Sequence, residues 1–76
     1  MKLSAINSKR PHSIIRVEES DLKYRLYEMG IYPNQELQMI NKAPLGDPIV
    51  VQVDGQLIML RLDEAELITL DEKQLN

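Results

Sequence analysis

The chain has 76 residues, a formal net charge of −3 at pH 7 and no cysteine. This length predicts one domain, residues 1–76, which buries only about 60 % of the surface that the unfolded chain exposes. Without cysteine, neither a disulfide framework nor a thiolate metal site can add stability. The acidic balance, with three Tyr and no Trp or Phe, argues against a nucleic-acid binder.

No apolar run approaches the roughly 20 residues of a membrane-spanning helix, and the start of the chain lacks a long apolar signal segment. We therefore expect a cytoplasmic protein that is not embedded in a membrane. The charges are unevenly distributed. Residues 1–25 carry six basic and three acidic side chains, whereas residues 63–76 carry five acidic and one basic.

The first part of the chain predicts a short helical turn, an exposed basic loop and a strand. The loop, SKRPH, ends at His12, for which we expect solvation rather than catalysis because no nucleophile accompanies it. Strand one is predicted over Ser13–Glu18, with Ile15 and Val17 facing inward.

One clear helix is predicted over Ser20–Met29, with Ser20 as its cap. Its apolar stripe consists of Leu22, Leu26 and Met29. Gly30 and Ile31 follow in the positions of a Schellman motif, in which Ile31 contacts Leu26. Asn34 then suits a turn position with positive φ.

The next predicted elements are a second strand, Glu36–Lys42, and a rigid loop that exposes Leu45. A hairpin from Pro48 to Leu62 follows, because Asp54-Gly55 is the pair that a type I′ turn favours. Its inner face is predicted to carry Ile49, Val51, Val53, Ile58, Leu60 and Leu62. Its outer face is unusually apolar, with Val50 opposite Met59 and Gln52 opposite Leu57. Either this chain's helix or N-terminal segment covers that face, or a partner does.

A single helical turn capped by Asp63 and a last strand, Leu67–Leu70, complete the order, and Asp71–Asn76 is expected to fray. Five short antiparallel strands close best as a small barrel, because closure removes exposed edges. The predicted fold is therefore dominated by β structure. One helix lies between strands one and two, and a helical turn precedes the last strand.

No enzyme site is indicated, and we expect no enzymatic activity. Three carboxylates, Asp63, Glu64 and Glu66, are weak candidates for a divalent metal. Their position on a single helical turn indicates a cap and a solvated face in the first place. A metal site is less well supported, because no nitrogen or sulfur donors accompany them at defined spacing. No bound cofactor is expected beyond weak binding of Fe2+ or another divalent ion.

The stretch from Arg25 to Leu70 resembles the ferrous iron transport protein A family, FeoA. The matching residues are Arg25-Leu26, Met29-Gly30, Pro33, Pro44, Gly46-Asp47-Pro48, Gly55, Leu60-Arg61, Glu64-Ala65 and Ile68. Two positions depart from the family pattern. Asn34 stands where the family prefers Gly, and the loop at residues 9–12 replaces one that usually holds a Gly.

The resemblance implies an SH3-like barrel that serves as a non-enzymatic accessory of the ferrous iron transporter FeoB. It implies docking on FeoB from the cytoplasmic side, at its GTP-binding domain or its membrane part, and modulation of iron uptake. The alternative is a regulatory module that binds metal ions directly, and self-association stays open. Such barrels bind through loops and one sheet face, so the expected contact residues are Leu45, Gly46, Asp47, Leu57 and Met59.

Overall fold

The computed structural model describes residues 1–73, which form five strands and two short α-helices after a single 3-10 turn at Leu3–Ala5. The elements are β1 (His12–Val17), α1 (Lys23–Glu28), β2 (Glu36–Lys42), β3 (Ile49–Val53), β4 (Gln56–Leu60), α2 (Leu62–Ala65) and β5 (Ile68–Leu70). The strands form one antiparallel sheet in the order β4-β3-β2-β1-β5. The predicted fold class is confirmed, including the helix between β1 and β2 and the helical turn before β5. The expected removal of every strand edge is not, because within residues 1–73 no ladder joins β4 to β5.

The hairpin of β3 and β4 has the register that its turn residues predict. Val53 pairs with Gln56 at the turn and Ile49 pairs with Leu60 at the far end. Asp54 and Gly55 take φ values of 51° and 75°, as a type I′ turn requires. Five of the six predicted inner residues of the hairpin are buried. The sixth, Leu62, lies at the start of α2 and is half-buried.

The predicted inward face of strand one is wrong at one position. Ile14 is fully buried and Ile15 is 54 % exposed. The reason is an irregularity in the pairing of β1 with β5, where the register shifts between Ile14 and Arg16. An extra residue in one strand reverses the alternation beyond it. Val17 therefore still faces the core.

The helix begins three residues later than predicted and ends one residue earlier, with Met29 as its C-cap. It begins after Leu22, and the Ser20 hydroxyl accepts a hydrogen bond from the Leu22 N–H rather than capping the helix. At the other end, Ile31 N–H donates to Leu26 C=O at 2.9 Å, and Gly30 has φ 96°. These are features of a Schellman motif. Leu26 and Ile31 are both fully buried in the core.

His12 is buried, and the expectation of a solvated residue is wrong. Only 3 % of the residue is exposed, because it opens β1 beside Leu37 of β2. Its Nδ1 donates to the carbonyl of Asp71 at 2.9 Å. Asp71 also donates its N–H to Ser13 C=O. The predicted frayed tail therefore starts later than Asp71, and its last part, residues 74–76, lies outside the described residues.

The turn before β5 is capped differently from the prediction. Helix α2 begins at Leu62, one residue before the predicted cap. Glu64 Oε1 accepts a hydrogen bond from Arg61 N–H at 2.9 Å, and Asp63 Oδ1 accepts one from Glu64 N–H. The cap therefore comes from Glu64 rather than Asp63. Within residues 1–73, no helix is both long and apolar enough to cross a membrane.

Candidate protein-contact site

The loop between β2 and β3 presents an isolated leucine to solvent. Leu45 is 93 % exposed, and Asp47 is exposed beside it. Gly46 N–H donates to Ala43 C=O at 2.7 Å, and Ala43 N–H donates to Pro48 C=O at 3.1 Å. Gly46 has φ 83°, a conformation that glycine adopts at no steric cost. The loop's own main-chain hydrogen bonds therefore hold Leu45 outward.

The outer face of the hairpin is the second exposed apolar surface. Leu57 and Met59 are 66 % and 67 % exposed. They lie opposite Gln52 and Val50, both half-buried. Neither α1 nor the N-terminal segment covers Leu57 and Met59. The sequence left open whether the chain itself or a partner covers this face. For these two side chains, the first explanation is wrong within the described residues.

The five predicted contact residues fall into two groups. Leu45, Gly46 and Asp47 share the loop that leads into β3. Met59 pairs with Val50 near the start of β3, whereas Leu57 lies toward the Asp54-Gly55 turn. Along the sheet, Met59 therefore lies closer than Leu57 to the end of the hairpin that the β2–β3 loop enters.

The three carboxylates proposed for a metal do not converge. Glu64 is buried and its Oε1 is engaged by Arg61 N–H, while Asp63 and Glu66 are exposed. Across residues 1–73, no group of three or more His, Asp or Glu side chains is arranged to hold a metal ion.

A polar depression of about 380 Å³ lies beside the hairpin turn. It is lined by Gln35, Glu36, Gln38, Gln52, Asp54 and Gly55. Sequence reasoning missed it, because its lining comes from the turn before β2, from β2, from β3 and from the β3–β4 turn. Only the pairing of β2 with β3, which sets Gln38 beside Gln52, brings these amides together. Its amides and carboxylates can hydrogen-bond a ligand but include no nucleophile.

Comparison with known families decides the relationship. A family model described as the FeoA domain matches residues 1–72. The chain belongs to the FeoA family. The resemblance seen over Arg25–Leu70 therefore extends over nearly the whole chain. A search of curated proteins returned no match.

Solved structures of FeoA proteins are similar to this chain. Iron(II) transport protein A from Clostridium thermocellum is 38 % identical with a TM-score of 0.83, covering 93 % of this chain and 44 % of that one. This chain thus spans less than half of that protein's length. The FeoA-like protein from Clostridium acetobutylicum is 32 % identical with a TM-score of 0.83, covering 93 % of this chain and 84 % of that one.

A third similar structure is described by its fold. FeoA from Stenotrophomonas maltophilia, complexed with zinc, is 29 % identical with a TM-score of 0.81, covering 93 % of this chain and 89 % of that one. It is described as a prokaryotic SH3 domain protein that possibly acts as a ferrous iron transport activating factor. The SH3-like expectation is thereby confirmed for this FeoA-family chain. A manganese-dependent transcriptional repressor, 19 % identical with a TM-score of 0.85, shares the fold alone.

Proposed function

We propose that this FeoA-family chain docks on the cytoplasmic part of FeoB and modulates ferrous iron uptake without catalysing a reaction. The observation that carries the proposal is Leu45, a large apolar side chain that is 93 % exposed. Exposure of this side chain is unfavourable in the isolated chain, and burial against a partner offsets that cost. Membership of the FeoA family supports the choice of the transporter as the partner.

The contact is proposed to centre on the loop residues Leu45, Gly46 and Asp47, and to extend to Leu57 and Met59. Main-chain hydrogen bonds fix the loop before binding. Little conformational entropy is then lost on docking. A preformed loop with one apolar side chain at its tip suits insertion into a pocket of the partner.

Amide chemical shifts test the proposal directly. The isotope-labelled chain is titrated with the soluble GTP-binding domain of FeoB, and the largest shifts are expected at residues 45–47, with smaller ones at 57 and 59. Leu45→Ala should weaken binding by about 1–2 kcal/mol. The matched control is Tyr24→Ala, because Tyr24 is 69 % exposed on α1 and lies outside the proposed contact.

Two results would refute the docking proposal. One is a titration that shifts no amide, combined with a pull-down in which no transporter component is enriched. The other is equal weakening by Leu45→Ala and Tyr24→Ala, because that outcome would show a non-specific apolar effect.

A second candidate is direct metal-ion binding by a regulatory module. It is favoured by the zinc in the S. maltophilia structure. Its candidate ligands in this chain are Asp63, Glu64 and Glu66, of which Glu64 is already engaged as a cap. Anaerobic calorimetry with ferrous iron separates the two functions. Binding no tighter than about 1 mM, equivalent to about −4 kcal/mol, would remove the metal-sensing function.

A further inference from the structure

Strand β4 carries main-chain groups that no other strand of residues 1–73 hydrogen-bonds. In the sheet order it stands at one end, with β3 as its sole neighbour among residues 1–73. Val53 and Gln56 flank the two-residue turn and so form a hydrogen-bonded pair. Such pairs alternate along an antiparallel ladder. The register of β3 and β4 shows no shift, so the main-chain groups of Leu57 and Met59 point away from β3.

The outward edge of β4 has none of the features that usually block pairing with another strand. Natural edge strands are protected by lysine, proline, a bulge or a covering element. Residues 56–60 read QLIML, and β4 contains no bulge. Among the described residues, no loop or turn hydrogen bond reaches Leu57 or Met59. The edge is therefore open to the addition of a strand.

We propose that β4 pairs antiparallel with β4 of a second copy of this chain, across a two-fold axis at Ile58. This register places Leu57 opposite Met59 of the second copy and Met59 opposite Leu57. These are the residues whose main-chain groups point outward, so each pair exchanges two hydrogen bonds. Their exposed side chains then cover one another across the new strand boundary, a contact that stabilises sheets.

Charge complementarity argues for a second copy as the occupant. Arg61, which follows β4, comes opposite Gly55 of the second copy in this register. Gly55 has no side chain, so the guanidinium has room beside the carboxylate of Asp54. Both Arg61 and Asp54 are exposed in the single chain. The two-fold axis repeats the Arg61–Asp54 contact, and the edge thus complements itself at both ends.

The proposed dimer is small and hence reversible. A pair of five-residue strands buries less than the roughly 1,600 Å² of a standard interface, so association should depend on concentration. The inference is independent of docking on FeoB. It uses Leu57 and Met59, which the docking proposal also includes, and therefore predicts competition between the two events on that face.

Sedimentation equilibrium of the chain alone tests the dimer. The wild-type chain should shift from monomer to dimer with rising concentration, and Met59→Lys should weaken the dimer by about tenfold or more. Leu57→Pro removes an N–H that points outward while leaving the bonds to β3 in place. Tyr24→Lys is the control, since Tyr24 is as exposed as Met59 but lies on α1. Circular dichroism verifies that each variant is folded.

The register is tested by a double-mutant cycle. Asp54→Asn keeps a residue that tolerates positive φ, and Arg61→Gln removes the facing charge. Each should weaken the dimer a few-fold, and the double variant should be no weaker than the weaker single variant. Additive effects would overturn the proposed register.

A chain that remains monomeric up to about 1 mM, or a dimer unaffected by Met59→Lys, would overturn the proposal itself. So would equal weakening by Tyr24→Lys. If the wild-type chain forms the dimer but does not bind FeoB, that result would count against the docking proposal only.

Discussion

Arg25 Nε lies 3.8 Å from Glu64 Oε2, and this ion pair joins α1 to α2. The two partners differ in environment: the Glu64 side chain is 4 % exposed and the Arg25 side chain 66 %. The other oxygen of Glu64 accepts the Arg61 N–H that opens α2. Both residues belong to the stretch that resembles the FeoA pattern, and we expect both to contribute to stability.

Removal of the Glu64 side chain should destabilise the fold more than removal of Arg25. Glu64→Ala deletes the acceptor of the partly buried Arg61 N–H, and we expect a loss of about 1–2 kcal/mol in the free energy of unfolding. Arg25→Ala should cost about 1 kcal/mol or less, since the arginine is largely solvated. Urea denaturation gives both values. Glu64→Gln, which keeps an acceptor, is the control and should be milder than Glu64→Ala. A larger loss for Arg25→Ala than for Glu64→Ala would contradict this account.

Asn34 should tolerate glycine but not alanine. Its φ is 73°, a left-handed conformation that costs a residue with a Cβ atom about 1–2 kcal/mol unless its side chain is suited to it. Asn34→Ala should therefore lower the free energy of unfolding by about 1 kcal/mol, whereas Asn34→Gly should change it little. Thermal denaturation of the two variants checks this. Equal stability of the alanine and glycine variants would be inconsistent with a strained turn.

The Lys2–Glu18 contact should appear in the acid titration. Lys2 Nζ lies 2.5 Å from Glu18 Oε2, and this hydrogen bond, followed by the charge of Lys2, lowers the pKa of Glu18 below 4.5. The folded state therefore binds the Glu18 proton less tightly than the unfolded state. The contact's contribution to stability is full above pH 4.5 and is lost as the pH falls through the lowered pKa.

Lys2→Met should return the pKa of Glu18 toward its ordinary value, as measured by NMR titration of the carboxyl carbon. Lys9→Met is the control, because Lys9 is also an exposed lysine of the N-terminal segment. An unchanged Glu18 pKa in the Lys2 variant would show that Lys2 does not hold this carboxylate in solution.

His12 should carry its proton on Nδ1. A carbonyl oxygen only accepts hydrogen bonds, so the 2.9 Å contact with Asp71 C=O requires Nδ1–H as the donor. Nε2 is buried and has no hydrogen-bond partner among the described residues. Nitrogen chemical shifts of the imidazole ring at neutral pH report the tautomer. Observation of the neutral Nε2–H form would show that the ring is oriented differently.

Features governed by neighbours in sequence were predictable. The Asp54-Gly55 turn and the apolar alternation each fix the register of β3 and β4, and they agree. The Schellman end at Gly30 depends only on residues within six positions. The exposure of Leu45 followed from a loop bounded by two prolines with no nearby core to enter.

Most of the errors lie where distant segments meet, although the caps predicted at Ser20 and Asp63 were wrong within a few residues of sequence. Ile15 was assigned to the core because regular alternation was assumed, and the irregular pairing with β5 reversed it. The Arg25–Glu64 ion pair required α1 to lie near α2. The polar depression required β2 to align with β3. None of these arrangements leaves a periodic signal in the chain.

The sequence by itself determined the order of the elements, the register of the β3–β4 hairpin and the family, because turn residues and side-chain periodicity act over a few positions. Only the tertiary structure decided which polar groups are buried and which apolar groups remain exposed. His12 illustrates the reason: its hydrogen-bond partner lies 59 positions away, so its burial depends on β1 lying between β2 and β5. The exposure of Leu57 and Met59 was likewise decided by where α1 and the N-terminal segment pack.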